Sequence, residues 1–384
     1  MRNLLLLIGI STLCHTAASG TRVAASLFAI HLGESTFAVG VITGLYGFLP
    51  MLLAVSSGRL TDRAGARIPM IIGATGMALG AVLPYFWPGV MALYASTTLM
   101  GCGFMLYNIA LQNVAGFLGK PEDRAMNFNM LSLGFSISNL LGPLLAGLGI
   151  DAFGHGYTFL GMALLPVIPV IILGFSILKL PRGPDPAAHS GKHRVLDLLR
   201  DPKLVWLFIL TTLLTTGWEL FGFMIPVYGS SIGLSATAVG LVMSSFSAAL
   251  LVIRLILPAF IKRVDPWLLI SATLIHAGII FSLFPFAHSA LWLGVLSFLL
   301  GLGLGCPQPL VVSLLHRHAP AGRVGEAIGF RQAMIYASQC AMPVLFGAVS
   351  ALVGTGLVFW AVALGLAGGG FAGRREREEA KAIP

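Results

Sequence analysis

Long apolar runs, separated by short clusters of turn-forming or charged residues, fill the chain almost end to end. A helix needs about 20 apolar residues to cross a bilayer. Runs of that order lie at 3–30, 37–58, 68–86, 91–116, 125–150, 156–179, 203–228, 237–258, 266–286, 290–315, 324–350 and 356–373, numbered here as spans 1 to 12. The pattern predicts an all-α membrane protein of 12 transmembrane helices. Connections are short except near 180–202, which is rich in Pro, Gly, His and charge. A six-helix unit is therefore expected at 1–180, a cytoplasmic linker at 181–202 and a second six-helix unit at 203–384.

The two units are copies of one pattern. At an offset of 200 residues, Gly33 meets Gly233, Ser35 meets Ser235, and Ala38-Val39-Gly40 meets Ala238-Val239-Gly240. Arg63 likewise meets Arg263, Gly101 meets Gly301, Ser138 meets Ser338, Pro143 meets Pro343, Gly147 meets Gly347 and Gly154 meets Gly354, without a gap. Two copies of a long apolar unit predict two pseudo-symmetric six-helix bundles with a binding site between them, near mid-bilayer.

Composition agrees, with 57% hydrophobic and 10% charged residues and a mean hydropathy of +0.91, far from soluble globular proteins. With both termini inside, every Lys and Arg falls in a cytoplasmic segment except Arg22, Arg254 and Arg331, which lie within spans. The outer loops carry Glu34 and Asp151 instead. This is the positive-inside asymmetry, so the net charge of +9 reports topology and implies no nucleic-acid partner. Arg2, the apolar run Leu4–Ile10 and Ala17-Ala18-Ser19 also fit a secretory signal. Cleavage there would remove the counterpart of span 7, so retention as span 1 is expected. Cys14, Cys102, Cys306 and Cys340 all fall inside spans and have no cysteine at the repeat-related position, so they form no disulfide or metal framework.

The connection between spans 2 and 3 carries Gly58, Asp62, Arg63, Gly65 and Arg67. It resembles the signature loop of the major facilitator superfamily, a glycine followed by Asp-Arg, a further glycine and a basic residue. The resemblance covers essentially the whole chain. It implies two six-helix bundles, with spans 1, 4, 7 and 10 lining a cavity and spans 3, 6, 9 and 12 outermost. The interiors of those four outer spans hold no Asp, Glu, Lys or Arg, which suits contact with lipid. The resemblance also implies a cytoplasmic gate. In it Asp62 sits at the N-terminal end of span 11, where a carboxylate is favoured, Arg63 and Arg67 bridge to carboxylates or lipid phosphates, and Glu326 belongs to the same gate. The alternative is that these basic residues only enforce topology.

Span 5 holds Ser138, Gly142, Pro143, Ala146 and Gly147. This is similar to the G-x-x-x-G-P-x-x-G-G element of the drug–proton antiporter branch, with Ser138 and Ala146 in place of two glycines. Small residues four apart allow close helix approach and proline bends the helix. Such patterns occur in many membrane helices.

Ionisable groups inside a membrane usually face a pathway or a partner. On span 1, Ser11, His15, Arg22 and Ser26 form one polar stripe, either lining the cavity or packed as a polar seam. On span 7, Thr211, Thr215 and Glu219 form another, with Trp218 beside it. Position 219 maps by the repeat to position 19, within a turn of Arg22. Arg22 and Glu219 are therefore predicted to pair across the cavity. Glu219 is the proton-coupling candidate, with a static ion pair as the alternative. Asn108 and Gln112 share a face of span 4, and Gln308, between Pro307 and Pro309, is a further cavity candidate or else part of a structural kink. Arg331 and Arg254 either pair with Glu326 or add to a positive vestibule.

The reading is a proton-coupled secondary active transporter of a small organic solute, working by alternating access as an efflux antiporter. Uptake of an organic anion or carboxylate siderophore is the alternative, favoured by a positive cavity balance. A non-transporting membrane receptor or scaffold is an alternative of another class. No Ser/His/Asp set, HExxH or paired catalytic carboxylates argue for an enzyme, and no phosphate-cradling loop argues for ATP. No cofactor or metal is expected. The expected partners are the solute, protons and the lipid bilayer, for a monomer in the inner membrane with both termini cytoplasmic.

Overall fold

The computed structural model describes residues 2–117, 124–178, 180, 199–260, 264–319 and 324–382. The side chains of Asp62, Arg63 and Glu326 and most of the expected linker lie outside what it describes. Apart from short 3₁₀ turns, the regular structure among the described residues is α-helical. The helices are α1 (Arg2–His31), α2 (Thr36–Ala64), α3 (Arg67–Phe86), α4 (Val90–Phe117), α5 (Arg124–Gly174) and α6 (Pro202–Ser231). They continue with α7 (Ala236–Phe260), α8 (Pro266–Leu283), α9 (Ala290–Leu304), α10 (Pro307–His318), α11 (Val324–Val353) and α12 (Thr355–Ala382). Among the described residues, ten helices are long and apolar enough to cross a membrane, and α9 is a shorter apolar helix. The chain is a multi-pass membrane protein.

Two elements differ from the twelve expected spans. Spans 5 and 6 run together as the 51-residue α5, which would be about 75 Å long if straight, far beyond the bilayer core of about 30 Å. Gly154, at φ 82° and ψ 172°, breaks it into two arms. Such a backbone is open essentially to glycine alone. Its repeat counterpart Gly354, at φ 86°, separates α11 from α12, so one turn recurs in both halves. Span 10 is the second difference. It divides into α9 and α10, because Pro307 and Pro309 lack the amide hydrogens that would continue α9. Pro307 then occupies the first turn of α10, where no donor is needed.

Within each half α1 packs along α5, and α6 along α11. Two seams join the halves: α2 against α11, and α5 against α7. The repeat is reproduced in the contacts of these seams. A Cβ on Gly40 would overlap the carbonyl of Pro343 and lie 3.4 Å from Gly347 Cα. A Cβ on Gly240 would overlap the carbonyl of Pro143 and lie 3.4 Å from Gly147 Cα. Backbones can approach this closely only where side chains are absent. Ser35 and Ser235 cap α2 and α7 identically, each accepting from an amide 3.2 Å away. At this end Asp151 accepts from Thr237 N (2.8 Å) and Ala236 N (3.2 Å), tying α5 to the start of α7. Large apolar side chains lie exposed on α3 (Ile72, Leu79), the second arm of α5 (Leu164, Ile171), α8 (Ile279) and α12 (Leu364, Phe371), as lipid-facing surfaces require.

Candidate functional site

A chamber of about 290 Å³ lies between the halves. His15 and Arg22 are seven residues apart on α1, two turns, so both project from one face into it. Trp218 and Glu219 enter from α6. Arg22 Nη2 donates to Glu219 Oε2, an ion pair that links the first half to the second. Glu219 is 4% exposed, so its charge is balanced by a partner rather than by bulk solvent. Aromatic rings form part of the walls. His15 stacks on Phe135 at 4.6 Å and meets Phe104 edge-on at 5.1 Å, while Phe221 stacks on Phe246 at 4.3 Å.

The remaining sequence candidates lie elsewhere. Ser11 bonds the carbonyl of Leu7, Ser26 bonds the carbonyl of Arg22 and meets Thr43 Oγ1 at 3.3 Å, and Thr215 bonds the carbonyl of Thr211. Asn108 is half-buried and Gln112 exposed, and neither lines the chamber. Gln308 Oε1 accepts from Arg331 Nη2, forming a second polar pair away from the chamber. Arg254 bonds Ser136 Oγ and the carbonyl of Ser132 at 2.8 Å. Of the three arginines within spans, only Arg22 therefore lines the chamber, and it is neutralised.

The span 5 element works as a two-sided spacer. Ser138 donates to the carbonyl of Thr12 (2.9 Å), and a Cβ on Gly142 would overlap Ser19 Oγ, so this face packs on α1. Pro143 and Gly147 face α7, against Gly240 and Ala236, and Ala146 is fully buried. In the signature loop, Gly58 falls within α2 and Gly65 ends it with φ 73°. Arg67 bonds Ser176 Oγ and the carbonyl of Leu178 (2.8 Å), where a carboxylate or lipid phosphate was expected. Carbonyls just past a helix C-terminus lack intrahelical donors and attract a cation. Asp62, Arg63 and Glu326 fall outside the described side chains.

The chamber also draws on helices not expected to line it. Tyr46 comes from α2, Asn139 from α5, Phe246 and Ser247 from α7, and Tyr336 and Gln339 from α11, whereas none of the described side chains of α9 or α10 lines it. Several of them are repeat-related, since Tyr46 aligns with Phe246 and Asn139 with Gln339. No cluster of three or more His, Cys, Asp or Glu able to hold a metal occurs among the described residues.

Comparison with known proteins agrees. The chain is 25% identical over 338 residues to the multidrug resistance protein MdtG of Dickeya zeae, covering 83% of this chain and 79% of that one. It is 27% identical over 166 residues to the multidrug efflux pump LfrA of Mycolicibacterium smegmatis, 43% of this chain but only 33% of that protein. The fold superimposes on a crystal structure of a POT family transporter in complex with a thioalcohol-conjugated peptide, with a TM-score of 0.82 and 16% identity, covering 97% of this chain and 95% of that chain. The family model for the Major Facilitator Superfamily matches residues 7–343. A chain whose halves repeat in sequence and contact, and which matches that model over most of its length, belongs to the Major Facilitator Superfamily and is a transporter, not an enzyme.

Proposed function

We propose that this protein is a proton-coupled efflux antiporter that moves a small organic solute by alternating access. The halves 1–180 and 203–384 act as two six-helix bundles about the central chamber, with twelve membrane crossings once the two arms of α5 and the α9–α10 pair are counted as spans. The positive-inside pattern supports an inner-membrane orientation with cytoplasmic termini, which makes the end bearing Ser35, Asp151 and Ser235 the outer one.

One observation carries the reading. An ion pair between the half-buried Arg22 and the buried Glu219 bridges the halves inside a chamber that is otherwise mostly apolar and aromatic. With Glu219 ionised the pair is neutral and the chamber suits an apolar solute. Protonating Glu219 leaves the Arg22 charge uncompensated, and a buried unpaired charge demands water. Proton and apolar solute thus exclude each other, which is the requirement of antiport. Similarity to a multidrug efflux pump and a multidrug resistance protein, LfrA and MdtG, favours export. Arg254 and Arg331 sit away from the chamber on neutral partners, which weakens the case for anion uptake.

The test is solute flux in proteoliposomes under an imposed pH gradient, screened against lipophilic compounds. Glu219→Gln, which mimics the protonated acid and leaves Arg22 without its counter-charge, is expected to weaken solute binding and to abolish gradient-driven accumulation. Undiminished, equally pH-dependent accumulation by that variant would overturn the coupling role.

A further inference from the structure

The chamber contains polar atoms for which the protein supplies no partner. Tyr46 Oη, Trp218 Nε1, His15 Nδ1 and Arg22 Nε are buried and make no hydrogen bond, and all four side chains line this one space. Buried polar groups are almost always paired, so four such atoms around a single chamber point to a ligand. Their chemistry says which kind. Indole and guanidinium N–H groups only donate, a phenol hydroxyl donates readily, and an imidazole nitrogen takes either role. The carboxylate lining the chamber, Glu219, is already engaged by Arg22. The unmet demand is therefore for acceptors, set among flat walls formed by Phe104, Phe221 and Phe246.

We propose that the chamber selects planar aromatic compounds whose ring edge carries hydrogen-bond-accepting oxygens, such as carbonyl groups on fused rings, which meet Tyr46 and Trp218. The inference rests on the chamber being the solute site of a transporter, as read above. In the chamber these four atoms are closed off from solvent and already unpaired, so a solute meets them as the side chains turn toward it and no bound water has to be displaced. An acceptor-bearing ring supplies the bonds they lack. An acceptor-free ring leaves them as unpaired as before and gains nothing. A lipophilic cation without carbonyl oxygens, such as ethidium, offers no acceptor. At about 290 Å³ the chamber lies at the lower end of ligand pockets, suited to a few fused rings. Asn139 and Gln339, which can accept or donate, line it at repeat-related positions and can take a second polar edge.

Two probes of equal shape separate the effect: 2-(hydroxymethyl)anthraquinone and 2-(hydroxymethyl)anthracene differ only by two carbonyls. Isothermal titration of the purified protein in detergent is expected to give the quinone at least about tenfold tighter binding, the gain from pairing one buried donor. Tyr46→Phe and Trp218→Phe should each cut that preference to about threefold or less while leaving anthracene binding unchanged, which also shows that the variants are folded. Equal affinity for the two probes, tighter binding of ethidium than of the quinone, or a preference that survives both substitutions would overturn the proposal. Proteoliposome flux separates this from the transport reading. A carbonyl preference in binding without pH-driven quinone flux would refute transport and leave the selectivity standing, whereas flux without the preference would refute the selectivity alone.

Discussion

Ser244 and Gly44 occupy equivalent places on the two seams and meet equivalent carbonyls in different ways. Ser244 Oγ donates to the carbonyl of Leu140 at 2.7 Å. At Gly44 a Cβ would come within 2.6 Å of the carbonyl oxygen of Cys340, the residue aligned with Leu140. The contrast repeats a turn later, where Ser247 Oγ donates to the carbonyl of Asn139 at 2.9 Å and Gly47 presses bare on Gln339. Ser244 and Ser247 thus add directional bonds to the α5–α7 seam at the positions where Gly44 and Gly47 leave the α2–α11 seam to backbone proximity.

This contrast predicts unequal sensitivity to one methyl group. Ser244→Ala removes a bond whose acceptor is a helix carbonyl, so the cost should be modest, about 0.5–1.5 kcal/mol. Gly44→Ala forces the helices apart at a packed contact, at about 1–3 kcal/mol. Thermal unfolding in detergent would rank the two, and an equal or reversed order would contradict the seam description.

Removing one member of the Arg22–Glu219 pair should be worse than removing both. Arg22→Ala leaves a carboxylate that is 4% exposed without its counter-charge, a loss of about 3–5 kcal/mol. Arg22→Ala with Glu219→Ala should recover part of that loss. Denaturant unfolding of the two variants at pH 8 provides the check.

Asp151 predicts a pH dependence at the Ser35–Ser235 end. Partial burial raises its pKa, but hydrogen bonds from the Thr237 hydroxyl and amide, from Ser235 and from the Ala236 amide lower it further, so the folded value lies below the ordinary 3.8. A depressed carboxylate stabilises the fold above its unfolded pKa, and that contribution fades as pH falls through the folded one. The stability difference between wild type and Asp151→Asn should therefore be constant from pH 7 to 5 and shrink below about 3.8. A difference that grew on acidification would show that the clamp is not carried by the ionised carboxylate.

Gly154→Ala and Gly354→Ala should destabilise alike, because both residues sit at φ above 80°, where a Cβ costs about 1–3 kcal/mol. Thermal shifts of similar size are expected. A neutral Gly354→Ala would mean that its turn relaxes and that the two halves are not equivalent there.

How much of this was legible in the sequence depends on how local the governing physics is. The apolar runs and the positional repeat fixed the helical class and the doubling, because bilayer thickness and backbone hydrogen bonding act on each segment separately. The same repeat brought Arg22 and Glu219 to a common depth, so their pairing could be anticipated. The joined arms of α5 were not legible, since Gly154 carries no sign of its backbone angle. Nor were Tyr46, Asn139, Tyr336 and Gln339, because lining the chamber depends on which face of α2, α5 and α11 turns inward.

The chain's own pattern therefore determined that it folds as membrane helices whose sequence repeats at an offset of 200 residues, with few charges and those mostly at helix ends, because each segment must satisfy the bilayer alone. Only the packed structure decided that Arg254 and Arg331 sit on neutral partners and do not line the chamber, that Ser244 and Ser247 bond carbonyls where Gly44 and Gly47 press bare on theirs, and that unpaired donors converge on one space. Those properties arise from contacts between residues 20 to more than 300 positions apart, and they depend on how the helices rotate and cross, which no local pattern encodes.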